Sequence, residues 1–334
     1  MHELDPQRRD RWSPALIVVV AVVAVLVMAV IVTHPPDMLF GSALRNVDAD
    51  TRAVAPLSTA FGASGEVRLQ LRLPGEQFEF PIELRPGHDS LPYRWVRASD
   101  SAAMTPVGQM GSGSTVRSPD RPGFYELEVL GPAGRSIVDS LVVGVLLPFS
   151  AKSSSIVNGY RIGTYKWERE HGDATPPPPG FVEVTAENAE LPISTHFRIG
   201  DFITHDGQST WPRYVALNTK ILDKVELVLR YLGSRDHDMS VNVNSGYRTP
   251  LHNQRVPRAA SDSRHQYGDA ADLAVDVDQD GRVTYLDVLA VSRAVEWVER
   301  DHPELAGGLG MYGNRGRVPY VHIDVRGQTK RWRD

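Results

Sequence analysis

Ser263-Arg264-His265-Gln266-Tyr267-Gly268-Asp269-Ala270-Ala271-Asp272 is the stretch on which the reading of this chain turns. It sets an imidazole and a carboxylate on either side of a glycine turn. Working outward, Asn244-Ser245-Gly246-Tyr247-Arg248-Thr249-Pro250 lies upstream, and Val321-His322-Ile323-Asp324-Val325-Arg326-Gly327 closes the chain downstream. His265, Asp272 and His322 together make a nitrogen and oxygen donor set suited to catalytic zinc, which takes three protein ligands and keeps a fourth position for water. Taken singly, a histidine such as His265 is more often a hydrogen-bonded structural residue. The combination is what points to a metal.

The order SGYRTP, S-x-H-x-x-G-x-A-x-D, Gly307-Gly308-Leu309-Gly310-Met311-Tyr312 and VHIDVRG resembles the M15 family of zinc D-alanyl-D-alanine carboxypeptidases and related peptidoglycan peptidases. The likeness covers roughly residues 195–334 and includes His196-Phe197-Arg198. It implies an α+β zinc-peptidase domain, zinc held by His265, Asp272 and His322, and a substrate-binding Arg248. Arginine suits a carboxylate because its planar fork can make two parallel hydrogen bonds, although a surface ion pair is its commoner use. Tyr247 and Ser263 are read with Arg248 as substrate contacts, with a turn cap as the alternative for Ser263. The family places an acidic residue or a histidine two or three positions before the last ligand. This chain has Pro319 and Tyr320 there. Asp324, two residues after His322 and so on the same face of a strand, is left as either the general base or a partner that orients an imidazole.

Immediately after Asp272, Asp276-Val277-Asp278-Gln279-Asp280-Gly281-Arg282-Val283-Thr284-Tyr285-Leu286-Asp287 follows the pattern of an EF-hand loop. Carboxylates of Asp276, Asp278, Asp280 and Asp287 and the backbone carbonyl of Arg282 fall at calcium-ligand positions, with glycine at the sixth. A structural calcium ion is expected there, and a solvated acidic turn is the alternative. A helix starting near Tyr285 should turn Leu286, Leu289, Ala290, Val291, Ala294, Val295 and Val298 inward, and a second is expected over 217–232, ending near Gly233.

The N-terminal half has a different texture. Residues 66–73, 77–84, 124–129 and 136–147 alternate in polarity between Pro and Gly turns, which predicts an all-β sandwich-like domain over 50–148. Tyr125 is read as one of its packed strand residues. Residues 149–195 carry Ser153-Ser154-Ser155 and four prolines, Pro176–Pro179, and read as a Pro-rich connection with some order of its own, since Tyr160, Tyr165, Trp167 and Phe181 would be costly to expose. Ahead of all this, Ala15–Val32 is a run of 18 apolar residues, about 27 Å as a helix. Residues 1–34 are therefore read as a cytoplasmic N-terminus and a single transmembrane helix. Arg8, Arg9 and Arg11 before the run keep the N-terminus in the cytoplasm and send the rest into the periplasm or extracytoplasmic space.

The chain has 334 residues, with 36 Lys+Arg against 41 Asp+Glu, a net charge of -5 and no cysteine. That balance argues against nucleic acid as the main partner. The missing thiols exclude disulfides, thiol catalysis and Cys-ligated zinc. The expectation is a single-pass protein of the cytoplasmic membrane with zinc and structural calcium. Its peptidase domain over 196–334 would act on peptidoglycan stem peptides as a carboxypeptidase. The alternatives are a cross-link endopeptidase or a non-catalytic zinc-containing module that binds peptidoglycan or a protein.

Overall fold

A computed structural model describes residues 54–56, 60–98, 108–111, 113–132, 134–172, 174–233, 239–313 and 318–334. The run at 15–32 expected to cross the membrane lies outside these residues, and among them no helix is long and apolar enough to span a bilayer.

The N-terminal half is built on a five-stranded sheet. Its strands are β1 (Leu69–Arg72), β2 (Ser90–Arg97), β3 (Gly108–Gly111), β4 (Gly123–Gly131) and β5 (Gly134–Val145), in the order β1-β5-β4-β2-β3. All pairings are antiparallel except β1 with β5. Alternation sends Tyr93 and Trp95 of β2, Tyr125 and Leu127 of β4 and Val143 of β5 into one apolar cluster. The second layer is supplied by short pairs: Phe78 and Val116 come from the pairing of 77–79 with 115–117, and Ile82 from the strand 82–84. Tyr125 is a packed strand residue, and its hydroxyl donates to the Arg121 carbonyl at 3.0 Å. Arg94 and buried Glu128 pair across β2 and β4.

Residues 149–195 are more than a connector. Val157, Tyr160, Ile162, Tyr165 and Phe181 are fully buried, and they share one core with the C-terminal half. Strand Gly180–Val184 pairs with Arg213–Val215, so the proline run leads straight into a sheet. Val67, Leu69, Phe124, Val142 and Leu146 of the first half enter that same core. The aromatic side chains explain this integration, because each removes a large apolar area from water.

The C-terminal half is a two-layer α+β arrangement. Strands β6 (Ser240–Ser245), β7 (Ala270–Asp276), β8 (Gly308–Tyr312), β9 (Tyr320–Asp324) and β10 (Lys330–Arg333) are ordered β6-β7-β9-β8-β10, antiparallel except for β8 with β10. Helices α1 (Thr219–Tyr231) and α2 (Tyr285–Asp301) cover one face. Asn218 caps α1 by accepting the Lys220 N–H, and Gly233 follows its end in the left-handed region. Thr284 and Asp287 cap α2 reciprocally. Val291, Ala294, Val295 and Val298 face inward as expected and Val288 joins them, whereas Leu286 is 73% exposed. It sits in the first turn, before the helix reaches the sheet.

Leu273, Val321, Ile323 and Leu309 point to the helices, so by the strand period Asp272, His322 and Gly310 point to the opposite face. His265 reaches that face from the turn Arg264–Tyr267, which ends at Gly268 with φ of 69°. A Cβ at Gly268 would lie 2.1 Å from the Ala216 carbonyl oxygen, and the Gly268 carbonyl accepts the Asn218 N–H at 2.8 Å. Only glycine satisfies both the backbone conformation and the contact. Gly268→Ala is therefore expected to cost about 2–4 kcal/mol in urea unfolding and to lower metal affinity with it.

Candidate metal centre

The strand register assembles the site in a single row. Ser245 on β6 stands opposite Asp272 on β7, Asp272 opposite His322 on β9, His322 opposite Gly310 on β8, and Gly310 opposite Trp332 on β10. A Cβ on Gly310 would come within 2.4 Å of the indole, so the glycine lets Trp332 lie against His322 with ring centroids 5.1 Å apart. His265 closes the group from above, and its backbone carbonyl accepts the Arg248 N–H at 3.1 Å.

Three acceptor atoms converge there. His265 Nε2 lies 3.1 Å from Asp272 Oδ1 and 3.0 Å from His322 Nδ1, and His322 Nδ1 lies 2.9 Å from Asp272 Oδ1. The outward nitrogens fix the tautomers. His265 Nδ1 is 2.7 Å from the Gly246 carbonyl, which can only accept, and His322 Nε2 is 3.1 Å from Asp324 Oδ2. With protons on those outer nitrogens, both inward nitrogens present lone pairs to each other and to a carboxylate. The three residues are 2%, 5% and 6% exposed. Such an arrangement repels itself unless a proton on one imidazole or a metal cation sits between the atoms, and the spacings allow one ion at about 2.0–2.2 Å from all three. The donor set fits zinc.

The charges agree. Burial pushes His265 below the ordinary imidazole value. Burial also presses on His322, but hydrogen bonds to Asp272 and Asp324 outweigh it and raise the imidazole. Burial opposes the charge on Asp272 and Asp324 too. Against it, His265 and His322 hold Asp272 well below the carboxylate range, while His322 and Arg326 do the same for Asp324.

Of the two roles left open for Asp324, this geometry supports the orienting one. Its side chain is fully buried behind His322 and accepts from Gly308 N at 2.7 Å and Arg326 Nε at 2.9 Å, so it has no path to a substrate water. Its backbone carbonyl accepts from the buried Lys224 on α1 at 2.8 Å, and Lys224 also pairs with Glu299 of α2 at 2.6 Å. The helix layer thus braces the strand that carries His322.

Arg248 borders the centre. One guanidinium nitrogen pairs with Asp272 Oδ2, and Nε donates to Ser245 Oγ at 2.7 Å. Ser263 begins the His265 turn, and its hydroxyl makes no capping bond there. Tyr247 does not contact substrate. It is 1% exposed, and its hydroxyl pairs with that of Tyr165 at 2.9 Å inside the core. The bulge between Val243 and Ser245 precedes a chain turn that sends Tyr247 inward and Arg248 to the site. His196, in the approach segment, is a core residue too, paired with buried Glu226 at 2.7 Å. Sequence reading missed Ser245 and Trp332 as site residues, although Ser245 lies within the SGYRTP motif.

In the acidic loop, carboxylate oxygens of Asp276, Asp278 and Asp287 come within 4.8 Å of one another. Asp280 is outside this group, and its Oδ1 accepts the Arg282 N–H at 2.8 Å. Asp287 accepts from Val277 N and Thr284 N, which ties the loop to the start of α2.

Fold and donor set together define a candidate His-Asp-His site for one metal ion on one face of an α+β sheet. A family model described as Peptidase M15 matches residues 196–300, and the match supports a zinc metallopeptidase domain. The matched stretch contains Arg248, His265 and Asp272 and stops short of His322. Comparison with curated proteins gives no match, and comparison with solved structures gives none.

Because His322 is raised in the metal-free site and must be neutral to bind, zinc uptake should release a proton, increasingly so as pH falls from about 8 to 6. Calorimetry in buffers of different ionisation enthalpy measures this directly. Asp324→Asn should reduce that release and weaken zinc binding by about 10–100-fold.

Proposed function

We propose that this chain is a membrane-anchored zinc peptidase of the cell envelope that hydrolyses peptidoglycan stem peptides, removing a terminal D-alanine. The observation that carries the reading is the convergence of His265 Nε2, Asp272 Oδ1 and His322 Nδ1 beside the Arg248 guanidinium. Bound there, zinc would supply Lewis acidity and lower the pKa of a coordinated water. The chain's own residues do the rest. Asp272 and Ser245 hold Arg248 in place, and the guanidinium donors they leave free hydrogen-bond a substrate oxygen. Asp324 and Gly246 keep both imidazoles turned toward the metal. The apolar run at 15–32 would tether the domain on the outer face of the cytoplasmic membrane, where the cell wall is its substrate.

A specific observation favours a second reading, the cross-link endopeptidase. Arg248 already spends Nε on Ser245 and one terminal nitrogen on Asp272. What remains suits one carbonyl oxygen better than the two oxygens of a terminal carboxylate. Mass-spectrometric product analysis of peptidoglycan and synthetic stem peptides, with the zinc-loaded full chain in detergent and a His265→Ala control, separates the readings. Loss of terminal D-Ala in the native protein alone is expected. Internal cleavage assigns an endopeptidase, and zinc binding without cleavage assigns a binding module.

Calcium at the acidic loop belongs to the same reading, supported by the convergence of Asp276, Asp278 and Asp287 at the cap of α2. Millimolar calcium should then raise the melting temperature, and Asp276→Asn should abolish the rise. An unchanged melting temperature in the native protein leaves a solvated acidic turn.

A further inference from the structure

The chain has eleven tyrosines. Two, Tyr231 and Tyr285, are exposed. Eight others each engage the hydroxyl within the protein. Tyr93 accepts from Arg117 N, Tyr125 donates to Arg121 O, Tyr160 to Asp206, Tyr214 to Glu183 and Tyr267 to Asp262, Tyr165 and Tyr247 pair, and Tyr312 accepts from Trp332 Nε1. Tyr320 is the remaining one, half-buried, and among the described residues its hydroxyl has no hydrogen-bond partner.

Its ring is nonetheless held. Tyr320 lies opposite Tyr312 across β9 and β8, and the two rings stack at 4.6 Å and 7° between planes. Tyr312 is itself fixed by the Trp332 indole at 2.7 Å, and Trp332 leans on His322. An aromatic file from the C-terminal strand therefore sets the Tyr320 ring on the same sheet face as His322, one strand period away. The ring thus stands beside the metal centre, two residues along the strand from His322 and one aromatic layer from the indole that packs on it. A hydroxyl positioned this firmly and left without a protein partner is a donor awaiting a ligand.

We infer that Tyr320 donates a hydrogen bond to the oxyanion that develops on the scissile carbonyl, opposite the guanidinium of Arg248. The inference rests on the peptidase reading and adds a catalytic residue to it. As the water oxygen bonds to the carbonyl carbon, the C=O π pair moves onto oxygen, and the two donors stabilise that charge. When the pair returns, the C–N bond breaks and the leaving amine takes up a proton originating from the water. Tyr320 keeps its own proton throughout. A tyrosine hydroxyl is protonated at neutral pH, so it is a donor there.

The test compares the zinc-loaded full chain with Tyr320→Phe, which keeps the ring stack. Two readouts are needed: steady-state kinetics on the stem peptide that the native protein cleaves, and calorimetric binding of a phosphinate pseudodipeptide, a tetrahedral anion that mimics the charged intermediate. The expected result is a kcat about 10²-fold lower, KM within about threefold, phosphinate affinity reduced by a similar factor, and unchanged zinc content and melting temperature. A kcat within threefold of native, or a loss confined to KM, overturns the inference while leaving the peptidase reading intact. Absence of cleavage by the native protein overturns the peptidase reading instead. Phosphinate binding then decides on Tyr320 alone, and equal affinity in both proteins rejects it.

Discussion

Three electron pairs aimed at one point organise the C-terminal half of this protein. His265, Asp272 and His322 bring two imidazole nitrogens and a carboxylate oxygen within about 3 Å of one another, buried from water. With neither a metal ion nor a proton shared among them this contact costs energy, because like partial charges at short range in a low-dielectric setting repel. The fold tolerates it only because each outer nitrogen has its own acceptor, and each acceptor is fixed in turn by main chain or by buried ions. The surrounding structure serves to keep this cluster from relaxing.

The way it does so follows from sheet geometry. One cross-strand row carries Ser245, Asp272, His322, Gly310 and Trp332, so the arginine tether, two ligands, a gap and an aromatic wall all come from register. The gap matters as much as the side chains. Glycine at 310 makes room for the indole, and glycine at 268 lets the His265 turn seat against the Ala216 carbonyl. Behind the sheet, Lys224 and Glu299 join both helices to the strand that holds His322. Site and core are thus one mechanical object.

The sequence exposes the ligands and hides their supports. His265, Asp272 and His322 sit in motifs whose residue types and order carry chemical meaning on their own. The roles of Ser245 and Trp332 depend on which strands are neighbours, and a single sequence does not encode register in a form that local patterns reveal. Tyr247 escapes a local reading for a related reason, so its expected substrate contact fails: the bulge in β6 breaks the alternation that would otherwise place it. Strand Ser90–Arg97 alternates cleanly through Leu91, Tyr93 and Trp95, but Pro92 in its midst masks it. The stretch 149–195 reads as a connection because prolines and serines dominate it, whereas its few aromatic residues decide its burial.

The central claim is that the triad is a zinc site with room for water and substrate. Zinc K-edge X-ray absorption on protein loaded with one equivalent of metal tests it most directly. The expected spectrum has nitrogen and oxygen scatterers at about 2.0–2.1 Å, with the multiple-scattering signature of two imidazoles and at least one exchangeable light ligand, and it is lost in His265→Ala. A native spectrum without the two-imidazole signature, or one unaltered in that variant, contradicts the claim.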